Sequence, residues 1–596
     1  MVRVTWDETL DWAGRHWRAI VVVAWACACA WMLYQRWTGI HWFALSDTDD
    51  NLRMAQVRAW LGGQDWYDLR QYKLDPPAGA NIHWSRVVDL PIAGLILLGR
   101  LFTNGPNAER FAVAVAPLLP YLLLGLAVAL SVRRLIHPAA FVVALGTLFF
   151  AGSTNGMFMP LRIDHHGWQI ALLAVAVAGL ADPRPARGGL TTGLASALSL
   201  SIGLEMLIYL AIAGAAQVLM WVDEAGQRRR IAAYGVSLAG GATIGFLLFA
   251  SYANRAPVCD ALSPVWLSDA LIGGALLTLL AWWSPAGWPK RMLGAAAAGV
   301  VVAAFHALAW PHCLSRLEGV SPEVQRLWLD NVREAKPLYE HTQQTILMVA
   351  TLPVIGVIGW IALAWRNRRD RDLFRRTVAI GAIAIAAALL LLWQTRAGPS
   401  AQMLAIPGAV ALAWILLPWA WHAKNPVLFA LGVIGAVLLG FGAAAPLARG
   451  FLPSPPQTER ERMVNRANRL CPTLSAMRPV ALQPKGTIFT FVDLAPRVIS
   501  VTHHSSIAGP YHRNGEAIGD VMKAFRGDAA NARAIIADKY RADYVLVCPM
   551  MSQATVFMAS APRGFYVQLA NGRAPEWLRP IDLGKDSPLR MWRVVR

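Results

Sequence analysis

Apolar runs separated by short polar, arginine-rich connectors fill the chain up to about residue 446 and then stop. Thirteen can be marked, at about 18–36, 108–131, 138–153, 168–181, 190–204, 206–222, 231–251, 270–283, 291–310, 344–365, 377–395, 399–421 and 425–446. A membrane-crossing helix needs about 20 mainly apolar residues, so the pattern predicts a polytopic α-helical membrane protein of about thirteen spans. The stretch 190–222 reads either as two spans or as one long helix, and the parity of the count turns on it.

The connectors choose between those readings. Arg133 and Arg134, Arg184 and Arg187, Arg228 to Arg230, Lys290 and Arg291, and the run Arg366, Arg368, Arg369, Arg371, Arg375 and Arg376 share one side with Arg15 and Arg18 only if 190–222 is split. Basic connectors mark the cytoplasmic side, which places the N-terminus inside and the loops 37–107, 154–167 and 311–343 outside. No small-residue cleavage site follows the first apolar run, so it reads as a retained signal anchor. The run at 90–102 is too short to cross and is expected to lie along the membrane surface, with a re-entrant hairpin as the rival.

After 446 the pattern changes. Pro453, Pro455 and Pro456 suggest a linker, and 447–596 reads as a soluble external domain. Apolar β-rich runs at Thr487–Val492, Val498–Val501 and Tyr544–Val547, with helical patterns near 516–526 and 529–540, predict a small α/β layer. The expected organisation is a membrane domain over 1–446 and an α/β domain over 447–596.

Composition agrees: of 596 residues 56% are hydrophobic and only 15% charged, with a mean hydropathy of +0.41. That balance excludes an ordinary soluble enzyme and a disordered chain. The net charge of +19 is set beside 26 tryptophans, a combination that points to membrane interfaces and anionic lipid, not to nucleic acid. Residues 447–596 carry 21 Lys/Arg against 11 Asp/Glu, so the external domain holds +10 of that charge.

Cys27 and Cys29 fall in the first apolar run and read as small apolar filler. Cys259 and Cys313 fall in external loops, and Cys471 and Cys548 in the external domain, so an oxidising periplasm would permit the pairs Cys259 with Cys313 and Cys471 with Cys548.

Three external segments contain residues with chemistry. The first loop opens on Ser46-Asp47-Thr48-Asp49-Asp50, three carboxylates that either hold a divalent cation or proton, or cap a helix beginning near Asn51. The second contains Arg162-Ile163-Asp164-His165-His166; an Asp and a His two residues apart on extended backbone point the same way and can share a metal, while Arg162 can take an anion. The third contains Glu334, which on its own reads as a solvated acid, and Arg396 ends a later span as either a snorkelling side chain or a phosphate binder. Glu205 lies in an apolar stretch and ranks below these, as an acid able to reach the interface from a helix end. A transporter would place its polar residues near midplane on broken helices, whereas these candidates lie in loops on one side.

Together these features resemble the catalytic subunit of oligosaccharyltransferases and, more broadly, the GT-C membrane glycosyltransferases. The features are thirteen spans, an external C-terminal domain, an acid in the first external loop, an Asp-x-His in the second, and a Glu between the ninth and tenth spans. The resemblance covers 1–446 in architecture. It implies Asp50, in Asp50-Asn51-Leu52-Arg53-Met54-Ala55, as the catalytic acid, with Asp49 and Asp47 as rivals. It implies that Asp164 and His166, with Asp50 and Glu334, hold Mg²⁺ or Mn²⁺. Glu334 would alternatively position the acceptor, and Arg396 and Arg162 would take the phosphate of a polyprenyl-phosphate-linked sugar. The family's Trp-Trp-Asp-x-Gly acceptor sequence is absent from 447–596, where His503-His504 and Gly509-Pro510-Tyr511-His512-Arg513-Asn514 stand instead. Tyr511, His512 and Arg513, with His165, are therefore the expected acceptor or sugar contacts.

The implied activity is metal-dependent, inverting transfer of a sugar or oligosaccharide to a hydroxyl of an envelope glycolipid or glycan. It would occur at the periplasmic face of a bacterial inner membrane, among membrane lipids. Transfer to protein, or transport of lipid or sugar, are the alternatives.

Overall fold

A computed structural model describes residues 6–314, 320–452 and 456–596; Pro453 and Pro455 of the expected linker lie outside them. Each of the thirteen apolar runs coincides with helix. Eight helical stretches among the described residues are long and apolar enough to cross a membrane: Trp17–His41, Gly105–Leu135, Ala225–Phe249, Pro264–Trp283, Trp288–Ala309, Gln343–Asn367, Arg371–Leu390 and Thr395–Ala420. Phe141–Phe150, His166–Leu180, Leu207–Asp223 and Pro426–Gly440 are apolar but shorter. The stretch 190–222 is two helices, Pro185–Ile202 and Leu207–Asp223, and Glu205 occupies the break between them.

Small residues let these helices approach closely, which in lipid replaces the hydrophobic driving force available in water. At the crossing of Gln343–Asn367 with Gly398–Trp421, a Cβ on Gly359 would stand 1.8 Å from the Gly408 carbonyl oxygen, so only glycine fits.

The segment after the first helix folds into the helix Thr48–Leu61, a two-stranded hairpin (Arg70–Gln71 with Ala80–Asn81) and the helix Arg86–Arg100. Arg86–Arg100 contains most of the apolar run at 90–102. It buries Val88, Ile92, Ala93 and Ile96 and leaves Leu97 and Leu98 exposed, with Leu101 and Phe102 exposed just beyond its end. Asp89 is completely buried between two equally buried arginines, 2.9 Å from Arg53 and 3.1 Å from Arg86.

The C-terminal part is a five-stranded sheet in the order Ser505–Ser506, Thr487–Phe489, Tyr544–Val547, Arg590–Val594, Leu578–Ile581. The first three strands run parallel and the last two pair antiparallel. Phe489, Phe491, Phe525, Phe557 and Tyr566 fill its core.

One expected strand is corrected: Val498–Val501 lies in the helix Ala495–Val501. Pro496 occupies its first turn, a position proline favours. Val498 packs into the sheet core while its neighbour Ile499 packs against Leu52 and Ala55 of Thr48–Leu61. Adjacent residues thus serve two different cores, and the whole helix couples the C-terminal part to the first loop.

That coupling is polar as well. Arg497 donates to the Phe43 carbonyl (3.0 Å) and to Asn51 Oδ1 (3.2 Å), and Lys73 donates to the carbonyls of Ile499 and Thr502, both at 3.1 Å. Disulfides join Cys259 to Cys313 and Cys471 to Cys548, with Cα separations of 5.3 and 6.2 Å.

Candidate active site

The acidic run begins as a helix cap. Asp47 is the N-cap of Thr48–Leu61 and accepts the N–H of Asp49 (2.9 Å) and Asp50 (3.4 Å), while Asp50 Oδ2 accepts the N–H of Asp47 (3.1 Å). This reciprocal box satisfies donors that every helix leaves open at its start. Asp50 does more than cap. Its Oδ1 accepts the N–H groups of Ile163 (2.7 Å) and Asp164 (3.0 Å), so one fully buried carboxylate staples the first loop to the second.

The second loop then presents its charges to the first. Arg162 reaches Asp47, lies 3.8 Å from Asp50 Oδ2 and 2.9 Å from Asp164 Oδ2. His166 Nδ1 stands 3.0 Å from Asp164 Oδ2, and the His166 N–H donates to Asp164 Oδ1 at 3.0 Å. His165 turns the other way: Nε2 meets Glu205 Oε1 at 2.7 Å, and its ring lies 5.5 Å from that of Trp84. Gln169 Nε2 donates to the second Glu205 oxygen at 2.6 Å. Glu334 and Arg396 pair with each other, both about half-exposed.

Burial and like charge set the protonation tendencies. Burial, then the facing Asp164 charge, pushes Asp49 up to about 7. The same two causes push Asp50 well above the usual carboxylate range, against the pull of its backbone N–H donors. Burial opposes ionisation of Asp164 too, but the His166 and Arg162 charges outweigh it and hold Asp164 far below that range. Burial pulls His166 down, yet its contact with Asp164 raises it to about 9. Burial pushes Glu205 up, but the facing His165 holds it well below its ordinary value.

The residues therefore divide. Asp47, Asp49, Asp50, Arg162, Asp164, His165, His166, Glu334 and Arg396 converge on one region. Tyr511, His512 and Arg513 do not join it as ligand contacts. Tyr511 is buried against Trp84 and donates its hydroxyl to the Thr48 carbonyl at 3.1 Å, buttressing the acidic turn from behind. His512 and Arg513 both bind Asp260, His512 Nε2 at 2.5 Å and Arg513 through both carboxylate oxygens at 2.8 and 2.5 Å. Glu205 and Trp84 are the members that the sequence ranked low or passed over. The signal for Glu205 was an acid placed two residues after Gly203 within an apolar stretch, the position at which the helix breaks.

A cavity of about 420 Å³ opens beside the cluster. Its lining includes the charged or titratable Arg162, His166, Glu205, Glu334 and Arg396 and the apolar Met206, Ile208, Val349, Leu390 and Trp393.

Oxygen donors of Asp47, Asp50 and Asp164 all lie within 4.8 Å of one another. Asp164 Oδ2 and His166 Nδ1 are both buried and face each other at 3.0 Å, beside the acidic oxygens. A set dominated by carboxylate oxygen suits a hard cation such as Mg²⁺ or Mn²⁺. The residues fit such an ion.

The helical part, with its polar loops meeting an appended α/β domain, has the fold of the solved membrane glycosyltransferases to which the chain is similar. Among solved structures, the chain is similar to the archaeal oligosaccharyltransferase AglB from Archaeoglobus fulgidus in complex with an inhibitory peptide and a dolichol-phosphate. The TM-score is 0.68 at 15% identity, covering 96% of this chain and 73% of that chain. It is also similar to the Archaeoglobus fulgidus oligosaccharyltransferase tethered to an acceptor peptide containing the NVT sequon (TM-score 0.61, 15% identity, 90% and 69% covered). A third similar structure is the Archaeoglobus fulgidus enzyme in complex with Zn and sulfate (TM-score 0.62, 16% identity, 91% and 70% covered). The likeness establishes the fold. No protein-family profile matches the chain, and no curated protein does.

Proposed function

We propose that this chain is a membrane glycosyltransferase that moves a sugar or oligosaccharide from a polyprenyl-phosphate-linked donor to a hydroxyl of an envelope glycolipid or glycan. The observation that carries the reading is the cavity, whose lining combines guanidiniums and carboxylates with apolar side chains. An isoprenoid phosphate has the same two-part character. The similar structures support the donor class, since one contains a dolichol-phosphate.

In the proposed reaction Arg396 and Arg162 hold the donor phosphate by charge-assisted hydrogen bonds. Asp49 takes the proton of the acceptor hydroxyl as its oxygen attacks the anomeric carbon. The bond from that carbon to the phosphate oxygen breaks, the electron pair leaves with the polyprenyl phosphate, and a single displacement inverts the centre. Asp49 suits the role better than Asp50. No hydrogen bond to the Asp49 carboxylate occurs among the described residues, whereas three backbone N–H groups occupy that of Asp50. Asp50, Asp164 and His166 would hold Mg²⁺ or Mn²⁺, which supplies charge neutralisation at the departing phosphate. Asp50 also fixes the two loops in register.

Arg396→Ala should raise KM for the lipid-phosphate sugar by about 10- to 100-fold, since a hydrogen bond to a charged group contributes about 1.5–3 kcal/mol. Steady-state kinetics with a defined donor check this, and an unchanged KM would remove Arg396 from phosphate binding. The same reading places the site and 447–596 on the periplasmic face and the N-terminus in the cytoplasm, on the strength of the basic connectors. Reporter fusions ending at Lys424 and at Gly450 should then report opposite sides, and agreement between them would reject this orientation.

The second reading is transfer to protein, favoured by the acceptor peptide bound in one similar structure. The missing Trp-Trp-Asp-x-Gly sequence argues against it here.

A further inference from the structure

Three segments far apart in sequence meet outside the site just described. His83 follows the hairpin of the first loop, Asp260 lies in the connection between Arg228–Phe249 and Pro264–Trp283, and His512 belongs to the external domain. One ring nitrogen from each histidine and one carboxylate oxygen of Asp260 all lie within 4.8 Å of one another. The two imidazole centroids are 4.7 Å apart, and His83 Nδ1 is buried without a hydrogen-bond partner. His512 Nε2 and Asp260 Oδ2 already stand 2.5 Å apart.

A shell surrounds these three. Arg513 grips both oxygens of Asp260 and donates to Asn254 Oδ1 at 2.8 Å, while Asn254 Nδ2 donates to the His83 carbonyl at 3.2 Å. Each carboxylate oxygen has two lone pairs, so the Arg513 fork leaves Asp260 able to face the histidines. Groups that orient ligands from outside in this way accompany metal-binding carboxylates and imidazoles.

We infer that His83, Asp260 and His512 form a zinc site, separate from the acidic cluster, that ties the first loop and the Asp260 connection to the external domain. Two imidazoles and one carboxylate make a common zinc ligand set, with water completing the tetrahedron. Bonds of about 2.0–2.2 Å put tetrahedral ligand atoms roughly 3.3 Å apart, a spacing compatible with three atoms that all lie within 4.8 Å of one another. The two sites differ in softness. The imidazole pair favours Zn²⁺, and the carboxylates around Asp164 favour Mg²⁺ or Mn²⁺. The zinc would act as a clasp one residue from Trp84, whose ring lies over Arg53 and beside His165.

The test uses the purified full-length protein in detergent, stripped by chelator and titrated with ZnCl₂. Bound metal is read by elemental mass spectrometry and the melting temperature is followed in parallel. The wild type should retain about one tightly held Zn²⁺ per chain and melt several degrees higher with it, as expected for an ion that binds only the folded state. MgCl₂ should not substitute. His83→Gln and His512→Gln should each weaken zinc binding by about 100-fold or more and abolish the thermal shift. Asp164→Ala should leave both intact, which separates this site from the proposed catalytic one. In the wild type, zinc should also protect His512 from diethyl pyrocarbonate, a readout that needs no variant. The inference is overturned if no zinc is retained, if zinc survives both histidine substitutions but is lost in Asp164→Ala, or if His512 labels equally with and without zinc.

Discussion

Asp164→Ala should reduce sugar transfer by about a thousandfold while leaving a folded, membrane-inserted protein. Asp164 contacts both Arg162 and His166 and fixes where their side chains stand. Without it Arg162 keeps only Asp47 and the more distant Asp50, and His166 loses its anionic neighbour. Arg162 then leaves the position from which it holds the donor phosphate, and His166 the position from which it would hold the metal. Losing one preorganised electrostatic element typically costs about 10²–10³ in kcat, and an alanine here disturbs two at once. Folding is less exposed, because the Asp164 backbone N–H still donates to Asp50. Turnover with a lipid-linked sugar, compared with the melting temperature of the same preparation, checks the prediction. Activity within about tenfold of wild type would mean that the second loop is structural only.

The largest loss of stability is expected at Asp89. Its carboxylate is the one anion shared by Arg53 and Arg86, and all three side chains are buried. Removing one partner of a buried ion pair costs about 3–5 kcal/mol, because the remaining charge stays out of water without compensation. Asp89→Ala strands two such charges, although Arg86 keeps four backbone acceptors, at Gln56 (3.4 Å), Asp65 (3.4 Å), Trp66 (3.3 Å) and Asp68 (2.8 Å). Arg53 has fewer alternatives: the Ser85 carbonyl at 3.2 Å and His165 Nδ1 at 3.5 Å. The damage should therefore spread through Arg53 to His165 and Glu205. Thermal unfolding in detergent should show a marked fall for Asp89→Ala. Replacing Arg53 and Asp89 together by Met and Leu should restore part of it, since one of the two stranded charges is then gone and Arg86 keeps its backbone acceptors.

The helices were legible because membrane spans announce themselves in composition. Even the doubtful stretch 190–222 was resolved by the charges flanking it, and the break falls at Gly203–Met206. Local chemistry was legible too, but not its division of labour. Capping and catalysis looked like rival readings of the acidic run, whereas Asp47 caps, Asp50 staples two loops, and Asp49 is left without such a duty. The remainder depends on contacts with no local trace. Glu205 ranked low because its partner His165 is 40 residues away, and His512 looked like a sugar contact because Asp260, 252 residues away, was invisible. Val498–Val501 looked like a strand because its β-branched residues are buried on two sides, a condition that a helix wedged between two cores also meets.

The most direct test of the proposed activity is to incubate the purified protein with a radiolabelled polyprenyl-phosphate sugar and, separately, an envelope glycolipid extract or a sequon-containing peptide. An amide nitrogen is a poor nucleophile that must first be activated, whereas a hydroxyl needs only a carboxylate base such as Asp49 within about 3 Å. The expected result is label on a hydroxyl of the glycolipid, released polyprenyl phosphate in equal amount, and no label on the peptide. Efficient labelling of the peptide asparagine with none on the lipid would contradict the proposed acceptor, and no release of polyprenyl phosphate with either would contradict the transferase itself.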